Sequence, residues 1–269
     1  MANESLISAA GIIKKFGSLT AVDDVSMEVY PGEICGVAGL NGAGKSTLLA
    51  ILAGVMRPDG GAVAYRGKQV NAGKTRPAGA GRGSSRLLRI GYVPQETALF
   101  PDLSVYDNLK FWALANSGSP KSRDADTPGH RAPLKDRILS AADATGLSEK
   151  INKPVRSLSG GMKQRANIAA ALVAEPEVLI MDEPTAGLDV KNRRDIINII
   201  SSLVKSAGGG LAAICTSHQS GELETISDRL LLLDRGCTVF DGAPMDVFSG
   251  KYALYENIDD ILYSLSGVI

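Results

Sequence analysis

Gly39-Leu40-Asn41-Gly42-Ala43-Gly44-Lys45-Ser46, the run GLNGAGKS, decides the fold of this chain. An apolar, strand-like run over 34–38 precedes it, and a helix-like segment over 45–53 follows. A strand that turns through glycines into a helix is the context that makes this pattern a phosphate cradle. Gly39, Gly42 and Gly44 let the backbone curl until its N–H groups converge on phosphate oxygens, and the helix N-terminus adds partial positive charge. Lys45 is then placed to set its ammonium on β- and γ-phosphates, and Ser46 to offer a hydroxyl to Mg²⁺. Asn41 and Thr47 complete the set of expected nucleotide contacts in this loop and helix start.

Two further stretches fit the same chemistry. Val178-Leu179-Ile180-Met181 reads as a buried strand ending in Asp182 and Glu183. The carboxyl edge of a parallel sheet is where α/β proteins bind ligands, so Asp182 is placed to orient Mg²⁺. Glu183, one residue on, is the candidate to polarise an attacking water. Adjacent acids are usually surface charge; an apolar strand before them and Pro184 after them favour function. Upstream, Leu158-Ser159-Gly160-Gly161-Met162-Lys163-Gln164-Arg165 reads as a helix start. Ser159 can cap it, while Gly160 and Gly161 allow close approach to outward-facing N–H groups. The plain alternative is a capped core helix with Ile168, Ala169, Leu172 and Val173 packed inward, and both readings can hold together.

Short apolar, β-branched runs over 25–30, 34–38, 62–65, 90–93, 178–181, 211–215, 230–233 and 238–240 predict strands. Helix-like segments over 45–53, 134–145, 161–174 and 191–205 lie between several of them. This alternation predicts an α/β fold with a mainly parallel central sheet. The early strands, with short connections, are expected to form an antiparallel flank. Ile258, Ile261, Leu262 and Leu265 recur at helical spacing, which predicts an amphipathic C-terminal helix packed on its own domain, with a dimer or membrane-subunit contact as the alternative. The stretch 66–89 holds seven basic residues and no acid, and 116–133 is rich in Ser, Pro, Asp and Gly. Both read as solvated insertions rather than domain boundaries, the basic one with an acidic partner or membrane surface as its alternative.

At 269 residues, one good core is affordable. The 29 basic residues balance 29 acidic ones, so the totals carry no nucleic-acid footprint. Cys35, Cys215 and Cys237 lack metal-ligand spacing, and the expectation is reduced, buried thiols. The N-terminus, MANESLISAA, does not read as a secretory signal. No apolar run approaches the roughly 20 residues of a spanning helix, so a membrane role would pass through a partner.

Taken in order, these motifs resemble the ATP-binding cassette (ABC) family of P-loop NTPases over nearly the whole chain. The resemblance implies a single domain over 1–269, its core formed by 1–94 and 176–269, with an inserted helical subdomain over about 95–175. It implies ATP and Mg²⁺ as ligands, with Ser46, Gln95 and Asp182 around the metal. It implies that Ser159, Gly160 and Gly161 serve the γ-phosphate of ATP held by an opposing subunit. Gln95 in Tyr92-Val93-Pro94-Gln95 matches the Q-loop, Ala186-Gly187-Leu188-Asp189 the D-loop at the dimer interface, and His218 the switch histidine. Phe16 sits where the family places an aromatic against adenine; a buried strand aromatic is the ordinary alternative. With Lys45, Gln95, Glu183 and His218 all present, the expectation is an active ATPase.

The expected partners are a second ABC ATPase subunit, as homodimer or heterodimer, and an integral membrane permease; no nucleic acid is expected. Ala98-Leu99-Phe100-Pro101-Asp102-Leu103 is the expected permease contact, the alternative being that Leu99 and Phe100 fold back on the helical subdomain. The resemblance is closest in style to bacterial multidrug, antibiotic and polysaccharide exporter ATPases. It implies a cytoplasmic subunit held at the inner face of the membrane by its permease. Two other readings stand beside it: a soluble, non-transport ABC ATPase, and a nucleotide-binding scaffold without turnover.

Overall fold

The computed structural model describes residues 4–70, 88–116, 132–206, 210–217, 219–249 and 252–265. His218, most of the basic stretch and most of the 116–133 stretch therefore lie outside the described residues.

Two sheets organise the chain. The first is antiparallel, with β1 (Ile7–Phe16), β2 (Leu19–Val29), β4 (Gly60–Tyr65) and β5 (Lys68–Val70) in the order β2-β1-β4-β5. The second holds β3 (Ile34–Ala38), β6 (Ile90–Val93), β7 (Val178–Met181), β8 (Ala212–Thr216), β9 (Arg229–Asp234) and β10 (Cys237–Gly242) in the order β10-β9-β3-β8-β7-β6. Its pairings are parallel except for the β9–β10 hairpin at one edge. The fold class is as expected from the motif order. Strands β3, β7 and β8 are buried at every residue, as strands covered on both faces must be, and so read as continuous apolar runs.

Seven α-helices are described: α1 (Lys45–Leu52), α2 (Val105–Ala115), α3 (Leu134–Ala144), α4 (Gly160–Leu172), α5 (Val190–Ser206), α6 (Ser220–Ile226) and α7 (Ile258–Leu265). Helix α1 packs Leu48, Leu49 and Leu52 between the two sheets. On the other face of the parallel sheet, Ile196, Ile200 and Val204 of α5 join Leu223, Ile258, Ile261 and Leu262. The C-terminal helix therefore buries its apolar stripe within its own chain. A third cluster joins α2, α3 and α4 through Leu109, Ile138, Ala142, Ala169 and Val173.

Three expectations change. Strand β1, strand β5 and helices α2 and α6 were not anticipated as elements. Cys237 is exposed, whereas Cys35 and Cys215 are buried and burial pushes both of their thiols up. The ends of the basic stretch are engaged: Arg66 pairs with Glu177, and Arg89 donates from Nε to the Glu175 carbonyl at 2.6 Å and from its N–H to Glu177 at 3.1 Å.

Candidate nucleotide site

The 39–46 loop, the candidate phosphate loop, lies where β3 passes into α1. Gly44 holds φ +101°, and a Cβ there would meet the Ala21 carbonyl oxygen at 2.2 Å, so only glycine fits between the loop and β2. The Gly236 N–H donates to the Ala43 carbonyl at 3.1 Å, and the Asp23 N–H donates to the Gly236 carbonyl at 2.8 Å. The β9–β10 turn and β2 thus brace the loop from outside. Lys45 is buried, with its ammonium donating to the Gly39 carbonyl at 2.6 Å and the Leu40 carbonyl at 3.1 Å. Burial lowers its pKa, while the negative charges of Glu183 and Asp182 act to raise it. Asn41 and Gly42 are exposed at the tip.

Strand order brings the acids to this loop. Strand β8 lies between β3 and β7, and Met181 pairs with Cys215, so the next residues, Asp182 and Thr216, come abreast. Thr216, fully buried, donates its hydroxyl to Asp182 Oδ1 at 2.9 Å and accepts the Glu183 N–H at 2.8 Å. Both acids are buried, Asp182 at 4% and Glu183 at 6% exposure. Gln95, beyond β6, donates its amide to Glu183 Oε2 at 2.8 Å. Lys45, Gln95, Asp182 and Glu183 thus converge from segments far apart in sequence. Glu183 takes φ +50°, a left-handed backbone seldom adopted outside glycine, so its carboxylate direction is imposed by the surroundings.

Ser159 caps α4, accepting the Met162 N–H at 3.3 Å. Ser159 and Gly160 are exposed; Gly161 is buried. A Cβ at Gly161 would meet Asn192 Oδ1 at 2.2 Å and Cγ at 2.5 Å, so a side chain there needs Asn192 of α5 to shift. The neighbours met at Gly160 and Gly161 are Leu188 and Asn192, on the run into α5. Asp189 engages both carboxylate oxygens with Asn192, accepting its N–H at 2.9 Å and its amide at 2.7 Å, which holds the carboxyl below its usual range.

Phe16 ends β1 at 47% exposure, so the ordinary buried-strand reading does not hold; its ring carries the Lys14 ammonium 5.6 Å from the centroid. Leu99 packs on the α2–α4 cluster, whereas Phe100 stays 43% exposed with Phe111 edge-on at 4.8 Å. The two readings of the 98–103 segment are therefore divided between its two apolar residues. A cavity of about 360 Å³ brings Asp259 and Tyr263 of α7 beside Gly39, Leu40, Asn41 and Ser217. Thr216 and Ser217 went unnoticed in the sequence. The available signal was their place at the end of a buried strand just before His218.

A family model described as "ABC transporter" matches residues 22–186. The linearmycin resistance ATP-binding protein LnrL of Bacillus subtilis is 33% identical over 245 residues, covering 91% of this chain and 71% of its own length. The spermidine/putrescine import ATP-binding protein PotA of Bacteroides thetaiotaomicron is also 33% identical, over 92% of this chain and 48% of its own length. Among solved structures, cbiO1 of Clostridium perfringens, part of the ABC transporter complex cbiONQ, superposes with a TM-score of 0.75. It is 27% identical, covering 98% of this chain and 97% of its own.

Proposed function

Because the chain belongs to the ABC transporter family, we propose that it works as one of two ATPase subunits that close around two ATP molecules and drive a separate membrane permease. It is an ATP-binding transporter subunit, and its activity is ATP hydrolysis coupled to transport. The observation that carries the proposal is the division of the site. Lys45, Asp182, Glu183 and Gln95 gather at one sheet edge, while the exposed tip of α4 at Ser159 and Gly160 borders Leu188 and Asn192.

In this reading, Gly39, Asn41, Gly42, Gly44, Lys45, Ser46 and Thr47 hold the phosphates, and the open ring of Phe16 takes the adenine. The donor chemistry fits Mg²⁺, since Ser46 and Asp182 offer hard oxygen ligands. Among the described residues no group of three His, Cys, Asp or Glu side chains gathers as a metal site. When bound, the ion neutralises charge on the β- and γ-phosphates. Glu183 accepts a proton from the attacking water, and Gln95 fixes the direction of its carboxylate. His218, outside the described residues, is the proposed switch histidine for the γ-phosphate. The N-terminus of α4, with Ser159, Gly160 and Gly161, closes over the γ-phosphate held by the partner subunit, and Asp189 lies at that junction.

The domain division is proposed with core segments 1–94 and 176–269 and a helical subdomain over about 95–175, the last built on the α2–α4 cluster. Exposed Phe100, beside the Gln95 segment, is the proposed permease contact. Among the described residues no helix is long and apolar enough to cross a membrane, so the proposed seat at the inner membrane face depends on that permease. The style of the signature and the resistance relative favour export; the equal identity to an import ATPase makes direction the finer part of the proposal.

Ser159→Arg places a bulky cation at the proposed trans contact. We expect hydrolysis to be lost while ATP binding to the isolated chain stays within about twofold, since the binding loop is untouched. Undiminished turnover would overturn the shared site. Membrane co-purification tests the transport reading: an integral membrane subunit should accompany the protein. Purification without such a partner, with turnover stimulated by nucleic acid, would overturn it.

A further inference from the structure

Beside the acid pair lies a second set of polar contacts, centred on Glu222 of α6, whose side chain is only 12% exposed. Its Oε2 accepts from the hydroxyls of Thr185 at 2.7 Å and Ser217 at 2.8 Å. Its Oε1 lies 3.9 Å from Arg193 on α5. Arg193 donates from Nε to the Leu188 carbonyl at 3.1 Å and also bonds Gln219. The Ser217 hydroxyl accepts the Gln219 N–H at 3.0 Å.

One carboxylate therefore fastens two segments that the chain keeps far apart. The first runs from Thr185 to Leu188, just after Glu183, and borders α4 at Gly160. The second holds Ser217 and Gln219, directly after the Thr216 hydroxyl that fixes Glu183 and Asp182. Removing a carboxylate from water is costly unless its oxygens are occupied, and here two hydroxyls and a guanidinium occupy them. Two donors on one oxygen leave little freedom for either segment to move alone.

We propose that Glu222 is a positioning residue for ATP hydrolysis. It holds the 185–188 segment against Ser217 and Gln219, so that a displacement of the first, where the partner subunit arrives, is carried through Thr216 to Glu183. Its place is in the chemical step and in closure, not in capture of ATP by the phosphate loop. The proposal rests on the reading of Glu183 as the base in a shared site.

The test is steady-state ATPase on the full chain for Glu222→Gln, Thr185→Val, Ser217→Ala and the Thr185→Val/Ser217→Ala pair. Each single change is expected to lower kcat about tenfold while KM for ATP stays within about twofold. The pair should lose no more than about tenfold, because both hydroxyls act through one oxygen, where independent contributions would multiply to about a hundredfold. Should Glu222→Gln fail to fold, the two hydroxyl variants and their pair carry the test. Unchanged kcat, multiplying losses, or KM rising in step with the kcat loss would overturn the proposal. Glu183→Gln run alongside separates the failures. Retained turnover there sinks the base assignment; lost turnover there, with unaffected Glu222-network variants, sinks the positioning role alone.

Discussion

Glu183 is held in a left-handed backbone conformation, at a cost on the order of 1 kcal/mol, and the Thr216 hydroxyl is one of the groups that keep it there. That hydroxyl has one proton to give and gives it to Asp182, so its lone pairs face the Glu183 N–H. Thr216→Val keeps the shape and removes both bonds in a fully buried place. We expect a loss of about 1–3 kcal/mol in denaturant unfolding, with reduced kcat. A variant as stable as the parent would contradict the assignment. The contrast with the motif residues is instructive. Lys45, Asp182 and Glu183 could be read from the sequence because contiguous runs carry them between a strand and a helix. The bonds of Thr216 and Glu222 could not, because they span 34 and 37 residues and depend on which strand neighbours which.

At the scale of elements, legibility followed burial. Strands β3, β7 and β8 are buried throughout and announced themselves, as did α5 and α7 through their apolar stripes. Strand β1 did not: its pairing is broken by register shifts after Ala9, and it ends in Lys14, Lys15 and Phe16 at a hairpin. Strand β5 is three residues long and largely exposed, too short to show a period. Helix α2 is capped by Ser104, whose hydroxyl accepts the Asp107 N–H, directly after the 98–103 segment that was read as a partner contact. The start of α4 was read as a capped helix tip, and it is one. Its second glycine has a further reason for being there, since α5 leaves no space for a side chain. Gly161→Ala should therefore cost about 1–3 kcal/mol of stability, measured by denaturant unfolding, and Asn192→Ala in the same chain should recover part of it. An alanine accepted without loss would show that Asn192 moves aside freely.

Across the whole molecule, the parallel sheet gathers a loop cation, an acid pair and a glutamine at one edge, while the antiparallel sheet braces the loop from behind. The alternation of strands and helices was enough to foresee the parallel sheet, and the short connections of the early strands the antiparallel flank, though not its strands β1 and β5. It could not supply the meeting of α7 with the phosphate loop, which depends on how the C-terminal segment returns across β3. In the proposed cycle Glu183 breaks down ATP which itself joins two subunits, so that blocking the chemistry preserves the join. The most direct measurement is the sedimentation mass of purified Glu183→Gln, with and without ATP, alongside its turnover. No measurable hydrolysis is expected, and a mass that doubles when ATP is added. A variant that stays monomeric with ATP and hydrolyses it at the parent rate would contradict both the base and the shared site.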